Sequence, residues 1–242
     1  MMETILVLGA GTPDGVGGAI ALRFAKGGYH VLVTGRTLQK VEATRAAIAA
    51  QGGSAEAMSC DVTSQQDLDA VFDALAGKEM PLASVVYNAG NNSPVAFETL
   101  TAEQFEAYWR VCCLGGFLAA KRAMPLLAGQ GRGTMLFTGA SASLRGKPNF
   151  AHFSAAKGAL RNLVQALARE YGPKGVHVAH IIIDGVVNGD QVKFRFGDYL
   201  DKLGEDGALD PAAIAEAFWM IHSQPRSAWT QELDLRPFKE VW

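Results

Sequence analysis

Glycines near the N-terminus are spaced in a way that suits the binding of an anion. Gly9 and Gly11 follow an apolar stretch, and they allow a sharp turn where a Cβ would clash. Gly15, Val16 and Gly17 then let the N-terminus of a helix approach a pyrophosphate, whose charge is favoured by free N–H groups and the helix dipole. The spacing therefore predicts dinucleotide binding, although glycines also mark ordinary strand-to-helix turns.

The residues around these glycines predict the elements that would position them. An apolar stretch at 5–8 precedes the glycines, a helical stretch at 18–26 follows, and a second apolar stretch lies at 30–33. A strand, a glycine-rich turn, a helix and a parallel strand form a βαβ unit. Strands and helices alternate almost to the end of the chain, which predicts a parallel sheet covered by helices on both faces. Such a sheet binds its ligand at the carboxyl ends of its strands.

The composition is that of an ordinary globular protein. Hydrophobic residues make up 49% of the 242 residues, charged residues make up 19%, and the formal net charge is −2. This charge gives no reason to expect nucleic acid or an anionic membrane as a partner, and no apolar run approaches the length of a membrane span. The N-terminus lacks the basic segment of a signal peptide. We therefore expect a cytoplasmic protein.

The cysteines and histidines do not suggest a metal centre. There are three cysteines, and two of them, Cys112 and Cys113, are adjacent, which suits neither a disulfide framework nor a metal site. His177 and His180 share a predicted strand, but their odd spacing places them on opposite faces of it. We predict no bound metal.

Arg36 is the residue that bears on the choice of cofactor. It is the first side chain with reach beyond the second strand, where a cofactor without a 2′-phosphate normally meets an acidic residue. The planar guanidinium suits a phosphate, which favours NADP over NAD. Two observations leave the choice open, since Arg36 would also suit a solvated loop and the nearby Asp14 would repel a phosphate.

Further motifs resemble the short-chain dehydrogenase/reductase family. The segment 11–17 matches the family's GxxxGxG spacing, while an alignment anchored on Gly9 would require a two-residue insertion. After the predicted fourth strand, Asn88, Ala89 and Gly90 match the family's Asn-Ala-Gly motif. The resemblance runs through at least the first ninety residues of the chain.

The resemblance implies roles for residues that follow the third and fourth strands. Asp61 and Val62 resemble the family's Asp-Val pair, in which the aspartate contacts the adenine amino group. An Asx turn before a helix would need the same residue types there. Asn88 would steady the central strands, and Ala89 with Gly90 would let the cofactor ribose lie close.

The family's catalytic positions are largely replaced in this chain. The family uses a tyrosine and a lysine in a YxxxK pattern, a serine that polarises the carbonyl, and an asparagine that holds a relay water. Here the tyrosine position holds Phe153, the serine position holds Ala140 and the asparagine position holds Cys112. Lys157 is kept, and in the family it also binds the nicotinamide ribose. A positioned acid or base usually contributes about 10²–10⁴ in rate, so these replacements matter.

Four neighbouring side chains are candidates to stand in for the lost groups. Ser141 and Ser154 adjoin the replaced positions, but a serine is too weak an acid to act without help. His152 precedes Phe153 but points about 100° away from it on a helix, which favours a surface or interface histidine. Asp184 follows an isoleucine-rich strand, where its carboxyl could have a raised pKa and act as an acid. It would serve equally well as a turn residue before a glycine.

The expected fold is a single-domain Rossmann fold over residues 1–242. It would be a doubly wound parallel sheet of about seven strands flanked by helices. By the resemblance, the irregular stretch 187–208 would be a substrate lid. The tail at 229–242 would be an oligomer contact.

Apolar side chains on the predicted long helix suggest a homodimer or homotetramer. The tail carries two of the four tryptophans and Phe238, which is much aromatic surface for a chain end. These regions form subunit contacts in the resembled family, although packing within one chain would explain the same pattern. The helix residues with this spacing are Phe105, Trp109, Cys113 and Phe117.

Two functions fit these observations. The first is an NADP-dependent oxidoreductase with a non-standard site and a small-molecule substrate that depends less on a tyrosine proton, such as an activated carbonyl, an imine or a conjugated alkene. The second is a catalytically silent dinucleotide-binding sensor or scaffold. Loss of three catalytic groups favours the second function, whereas the glycine loop, Asn88–Gly90 and Lys157 fit both.

Overall fold

The computed structural model describes residues 2–78, 80–90 and 92–240, and its strands belong to one parallel sheet. The spatial order is β3-β2-β1-β4-β5-β6-β7, so the direction of winding reverses between β1 and β4. This is the doubly wound Rossmann arrangement that the sequence predicts. The strands are β1 (Thr4–Leu8), β2 (His30–Gly35), β3 (Ser54–Ser59), β4 (Leu82–Tyr87), β5 (Thr134–Ala140), β6 (His177–Ile183) and β7 (Glu232–Leu235).

Helices cover both faces of the sheet and enclose two separate apolar cores. One core lies between the sheet and α3, α5 and α6, and the other lies beneath α1, α2 and α8. The central strands β1, β4 and β6 are buried along their whole length, which explains their nearly continuous apolar sequences. The helices are α1 (Val16–Lys26), α2 (Leu38–Ala50), α3 (Gln65–Ala76), α4 (Ala102–Trp109), α5 (Gly115–Gly129), α6 (Ala151–Tyr171), α7 (Asp190–Leu203) and α8 (Pro211–His222).

The predicted long helix at 105–127 is interrupted by a wide π-helical turn. This turn, Arg110–Leu114, lies between α4 and α5. The hydroxyl of Tyr87 donates a hydrogen bond of 2.6 Å to the carbonyl of Val111 within it. Such turns occur frequently at functional sites, and this one carries Cys112.

The same helical region passes the length and composition test for a membrane span, contrary to the expectation that no apolar run would approach that length. The region is Ala102–Gly129, and half of its most apolar window is buried inside the protein. Its α5 part packs on β4 and β5, and buried residues such as Ala119 and Leu127 make it apolar. The apolar composition is therefore that of a core helix.

The stretch 187–208 is mostly helical, which corrects the prediction of an irregular excursion. Helix α7 occupies most of it, with a kink at Phe196, where φ is −141°. Sequence reasoning missed this helix, although Val192, Phe196, Tyr199 and Leu203 recur at helical spacing. Its aromatic side chains are exposed, with Phe194 92% accessible. The assignments of 187–208 as a lid and 229–242 as an oligomer tail stay predictions.

Candidate functional site

A cleft of about 320 Å³ opens at the carboxyl ends of the strands, where the winding reverses between β1 and β4. This is the position at which an open parallel sheet binds its ligand. All the predicted cofactor residues except Lys157 line it. The lining residues from the prediction are Gly9, Gly11, Gly15, Val16, Gly17, Arg36, Asp61, Val62, Asn88, Ala89 and Gly90.

The glycine loop is held close to neighbouring backbone, which explains its composition. Gly9 has a φ of +85°, and a Cβ on Gly17 would lie 2.4 Å from the carbonyl oxygen of Gly9. Both positions therefore require glycine. Gly15 is the N-cap of α1, and no side chain caps the helix there. The uncapped helix N-terminus faces the cleft and suits an anionic group.

Two cations lie at the end of the cleft next to β2. Arg36 is exposed and lines the cleft, as does Lys40 one turn into α2. Asp14, which the sequence suggested would repel a phosphate, is not part of this lining, although Asp190 of α7 is. Sequence reasoning missed Lys40, which lies in the first turn of the helix that follows Arg36.

Asp61 both lines the cleft and forms the Asx turn that the sequence left as an alternative. Its Oδ1 accepts hydrogen bonds from the backbone N–H and the hydroxyl of Thr63, at 2.9 and 2.8 Å. The neighbouring Asp67 accepts from the backbone N–H of Asp61 at 2.9 Å. These bonds fix the loop after β3 at the edge of the cleft.

Asn88 joins three strands beneath the cleft. Its Nδ2 donates to the carbonyl of Gly9 at 2.9 Å, and its Oδ1 accepts from the hydroxyl of Thr138 at 2.8 Å. The side chain thus links the ends of β1, β4 and β5. This geometry fits the steadying role that the resemblance implies.

Lys157 lies beyond Gly90, away from the cations beside β2. It is 4% exposed, and its Nζ donates a hydrogen bond of 2.8 Å to the carbonyl of Thr138. A Cβ on Gly90 would lie 3.6 Å from this Nζ and 3.9 Å from the Sγ of Cys112. Burial lowers the pKa of Lys157, and the Coulombic effect of Cys112 opposes this.

The three replaced positions come together around Lys157. Cys112 and Phe153 share a small buried cluster with Ala156, and Ala140 packs against it. The Nζ of Lys157 lies 5.8 Å from the centre of the Phe153 ring. Where the resembled family has polar catalytic groups, this wall of the site is apolar apart from the cysteine thiol.

Ser141 begins a short helical turn directly after β5 and is half-buried. Its carbonyl accepts hydrogen bonds from the backbone N–H groups of Leu144 and Arg145 at 2.9 and 3.0 Å. The turn holds the residue beside Ala140, as the sequence suggested. Its role as a stand-in for the lost serine stays a prediction.

Asp184, which the sequence suggests as a candidate acid, is the partner in a buried ion pair. It is fully buried, and both of its carboxylate oxygens accept from Arg145, at 2.8 and 2.9 Å. Arg236 lies 3.7 Å away on the other side. Two guanidinium groups thus lie beside this carboxylate, and the role of Asp184 as an acid stays a prediction.

The histidines are more buried than the sequence suggested. His152 is fully buried against Tyr108, with ring centroids 4.1 Å apart, and is therefore not a surface residue. His180 pairs with Glu232 at 3.1 Å, and burial lowers the pKa of His180 to about 4. Among the described residues, no group of three or more His, Cys, Asp or Glu side chains could hold a metal ion.

Tyr108 is the site residue that sequence reasoning missed. It packs against the cluster of Cys112 and Phe153, and its hydroxyl lies 2.8 Å from the Oγ of Ser93. Its spacing of four residues from Cys112 on a helix could have indicated that both side chains lie on one face.

Comparison with known proteins agrees with this geometry. The family model for short chain dehydrogenases matches residues 3–195. The 3-oxoacyl-[acyl-carrier-protein] reductase of Bos taurus is 30% identical over 209 residues, which cover 85% of this chain and 86% of the relative.

Solved structures extend the similarity to nearly the whole chain. A short-chain dehydrogenase from Rhodopseudomonas palustris has a TM-score of 0.83 and 35% identity, and the match covers 98% of this chain and 99% of the other. A metagenomic short-chain oxidoreductase in complex with NADP has a TM-score of 0.83 at 22% identity, with 98% of each chain covered. The glycine loop, the Asn-Ala-Gly motif and the buried lysine thus lie on a sheet of the same topology as these proteins, and the chain belongs to the short-chain dehydrogenase/reductase family.

Proposed function

We propose that this protein is an NADP(H)-dependent oxidoreductase with a non-standard active site. It would transfer a hydride between the nicotinamide and a small-molecule substrate. The observation that carries this proposal is the continuous path from the glycine loop, past Asn88 and Gly90, to the buried Lys157. A dinucleotide laid along this path places its pyrophosphate at the N-terminus of α1 and its nicotinamide ribose beside Lys157.

The choice of NADP rests on the two cations beside β2. A 2′-phosphate on the adenosine ribose would meet Arg36, and Lys40 would add a second positive charge. NAD would instead favour an acidic residue at this place. The complex of the metagenomic oxidoreductase with NADP agrees with this choice at the level of the fold.

Removal of Arg36 should abolish the preference for NADPH. A charge-assisted contact to the phosphate contributes roughly 1.5–3 kcal/mol, so the wild type should bind NADPH at least about 10-fold more tightly than NADH. Arg36→Ala should bind the two cofactors with similar affinity, as measured by calorimetry. Arg45→Ala on α2 is the control, since Arg45 pairs with Glu42 and does not line the cleft. Equal affinities in the wild type would contradict the assignment.

The substrate should be one whose reduction depends little on the missing family groups. Without the tyrosine and serine hydroxyls, an activated carbonyl, an imine or a conjugated alkene is favoured over a simple ketone. The test is a substrate panel followed by NADPH absorbance, with a titration of cofactor binding alongside it. Binding of NADPH without turnover of any of these substrates would favour the silent-binding alternative.

We also propose that the protein forms a homodimer or homotetramer through the outer faces of its long helices. Phe105, Trp109 and Phe117 are 40%, 37% and 43% exposed, which is unusual for large apolar side chains. Cys113, predicted to share this face, is buried and belongs to the interior. Within the predicted tail, Trp229 stacks on His177 while Phe238 is 78% exposed, and Trp242 lies outside the described residues.

Light scattering at micromolar concentration should give about twice or four times the monomer mass of 25.7 kDa. Trp109→Glu with Phe117→Glu should lower this mass, because two charges would be buried in the interface. Phe194→Glu, on the exposed surface of α7, is the control and should leave the mass unchanged. A monomeric wild type would refute the proposal.

A further inference from the structure

Tyr108 lies next to the positions from which the family's polar groups are missing. It is one helical turn before Cys112 and packs against the cluster that Cys112 forms with Phe153. Ala140 packs against the same cluster. The half-buried phenol of Tyr108 is thus a polar group on an otherwise apolar wall.

The hydroxyl of Tyr108 is held toward the segment that follows the Asn-Ala-Gly motif. It lies 2.8 Å from the Oγ of Ser93, and either oxygen can be the donor. Ser93 is only three residues beyond Gly90, which adjoins both Lys157 and Cys112. When Ser93 donates, the phenolic proton of Tyr108 is available to another acceptor.

His152 provides an independent sign that a polar group enters this region. It is fully buried, and neither ring nitrogen has a hydrogen-bond partner among the described residues. A neutral imidazole carries one N–H and one acceptor, and leaving them unsatisfied in the interior is costly. Its ring lies against Tyr108 at 4.1 Å, so a water molecule or a polar substrate group that reaches His152 also comes close to the phenol.

We propose that Tyr108 donates the proton in the reaction of this protein, in place of the tyrosine lost at Phe153. This inference rests on the proposed function. For a carbonyl substrate, the hydride leaves C4 of NADPH and forms a C–H bond at the carbonyl carbon. The electron pair of the C=O bond takes the proton from the Tyr108 O–H, which gives the alcohol, NADP⁺ and a phenolate. A proton from bulk solvent then restores the phenol, so the overall reaction consumes NADPH, the carbonyl and one proton.

The test compares wild type with Tyr108→Phe, which removes only the hydroxyl. The probe is whichever carbonyl of a reactive panel the wild type reduces fastest, and single-turnover hydride transfer is measured after NADPH is bound. Hydride transfer should fall by about 100-fold, a typical contribution of a positioned acid. NADPH affinity should stay unchanged, and the melting temperature should fall only slightly, because the ring and its packing are kept and only the hydrogen bond to Ser93 is lost. Tyr171→Phe, at the far end of α6, is the matched control.

A rescue experiment distinguishes a chemical role of Tyr108 from a structural one. Phe153→Tyr added to Tyr108→Phe should recover much of the rate, because it returns a phenol to the same cluster beside Lys157. Wild-type activity in Tyr108→Phe would overturn this inference and leave the proposed function standing. A wild type that binds NADPH but reduces none of the carbonyls would overturn the inference too. Failure to bind NADPH or NADH would overturn both.

Discussion

Replacing Phe153 by tyrosine and Ala140 by serine together should raise the reduction of small reactive carbonyls by about 100-fold or more over wild type. The two changes return an acid and a carbonyl donor to the positions that hold them in the resembled family. The wild type, which has no hydroxyl at either of these positions, should reduce these carbonyls more slowly. NADPH oxidation under saturating cofactor is the measurement.

The structure indicates that this site can accept both hydroxyls at small cost. Phe153 keeps 7% of its surface exposed, and the Nζ of Lys157 lies 5.8 Å from its ring centre. Ala140 is half-buried at the end of β5. Keeping the ring size limits the loss of packing energy.

Each single variant should gain less than the pair, because one hydroxyl supplies only one of the two functions. Phe97→Tyr, at a side chain that is 73% exposed, is the control and should change nothing. If the wild type already matches the double variant, another group supplies the proton efficiently and the prediction fails. If neither the wild type nor the double variant reduces a carbonyl while both bind NADPH, the silent-binding alternative gains support.

Breaking the buried ion pair of Asp184 should cost the protein a large part of its stability. Arg145→Ala removes the guanidinium that holds both carboxylate oxygens, and the fully buried carboxylate is left without its main partner. Loss of one partner of a buried pair costs about 3–5 kcal/mol. We expect a loss near 3 kcal/mol, because the Arg145 side chain is 27% exposed and Arg236 remains 3.7 Å from the carboxylate.

Urea unfolding monitored by circular dichroism measures this loss of unfolding free energy. Adding Asp184→Asn to Arg145→Ala should recover much of it, since the isolated charge is then gone. Arg45→Ala, at an exposed pair with Glu42, should change stability by less than about 0.5 kcal/mol. A destabilisation of Arg145→Ala no greater than that of Arg45→Ala would show that the pair is energetically unimportant.

The elements whose ends carry local signals were predictable from the sequence. Helix α8 begins after Asp210, whose carboxylate accepts from the backbone N–H of Ala212, and Pro211 occupies its first position. Thr101 and Gln104 form a capping box at the start of α4. Most residues that line the cleft were predictable for a similar reason, since glycine spacing and an Asn-Ala-Gly motif are readable within short segments.

The environment of the catalytic candidates could not be predicted in this way. The partner of Asp184 is 39 residues away in the chain, and nothing local distinguishes an ion-paired aspartate from a turn-forming one. His152 was expected at the surface or an interface, whereas α4 covers the face of α6 that it occupies. Periodicity does not reveal this contact. Tyr108 was overlooked for the same reason. The partners and burial of these residues depend on how distant parts of the chain pack together. The conformation of the glycine loop depends on its own backbone and can therefore be predicted locally.

The hydrogen bonds of the Asn88 side chain also indicate at what stage of synthesis the site can form. The amide reaches back to Gly9 across 79 residues and forward to Thr138 across 50 residues. The floor of the cleft is therefore incomplete until β5 has left the ribosome and paired with β4, and Lys157 follows later still. Contacts between such distant residues form slowly, because the loops between them must close first. NADPH would thus bind a sheet that has already assembled, and it would hold that sheet together without guiding its assembly.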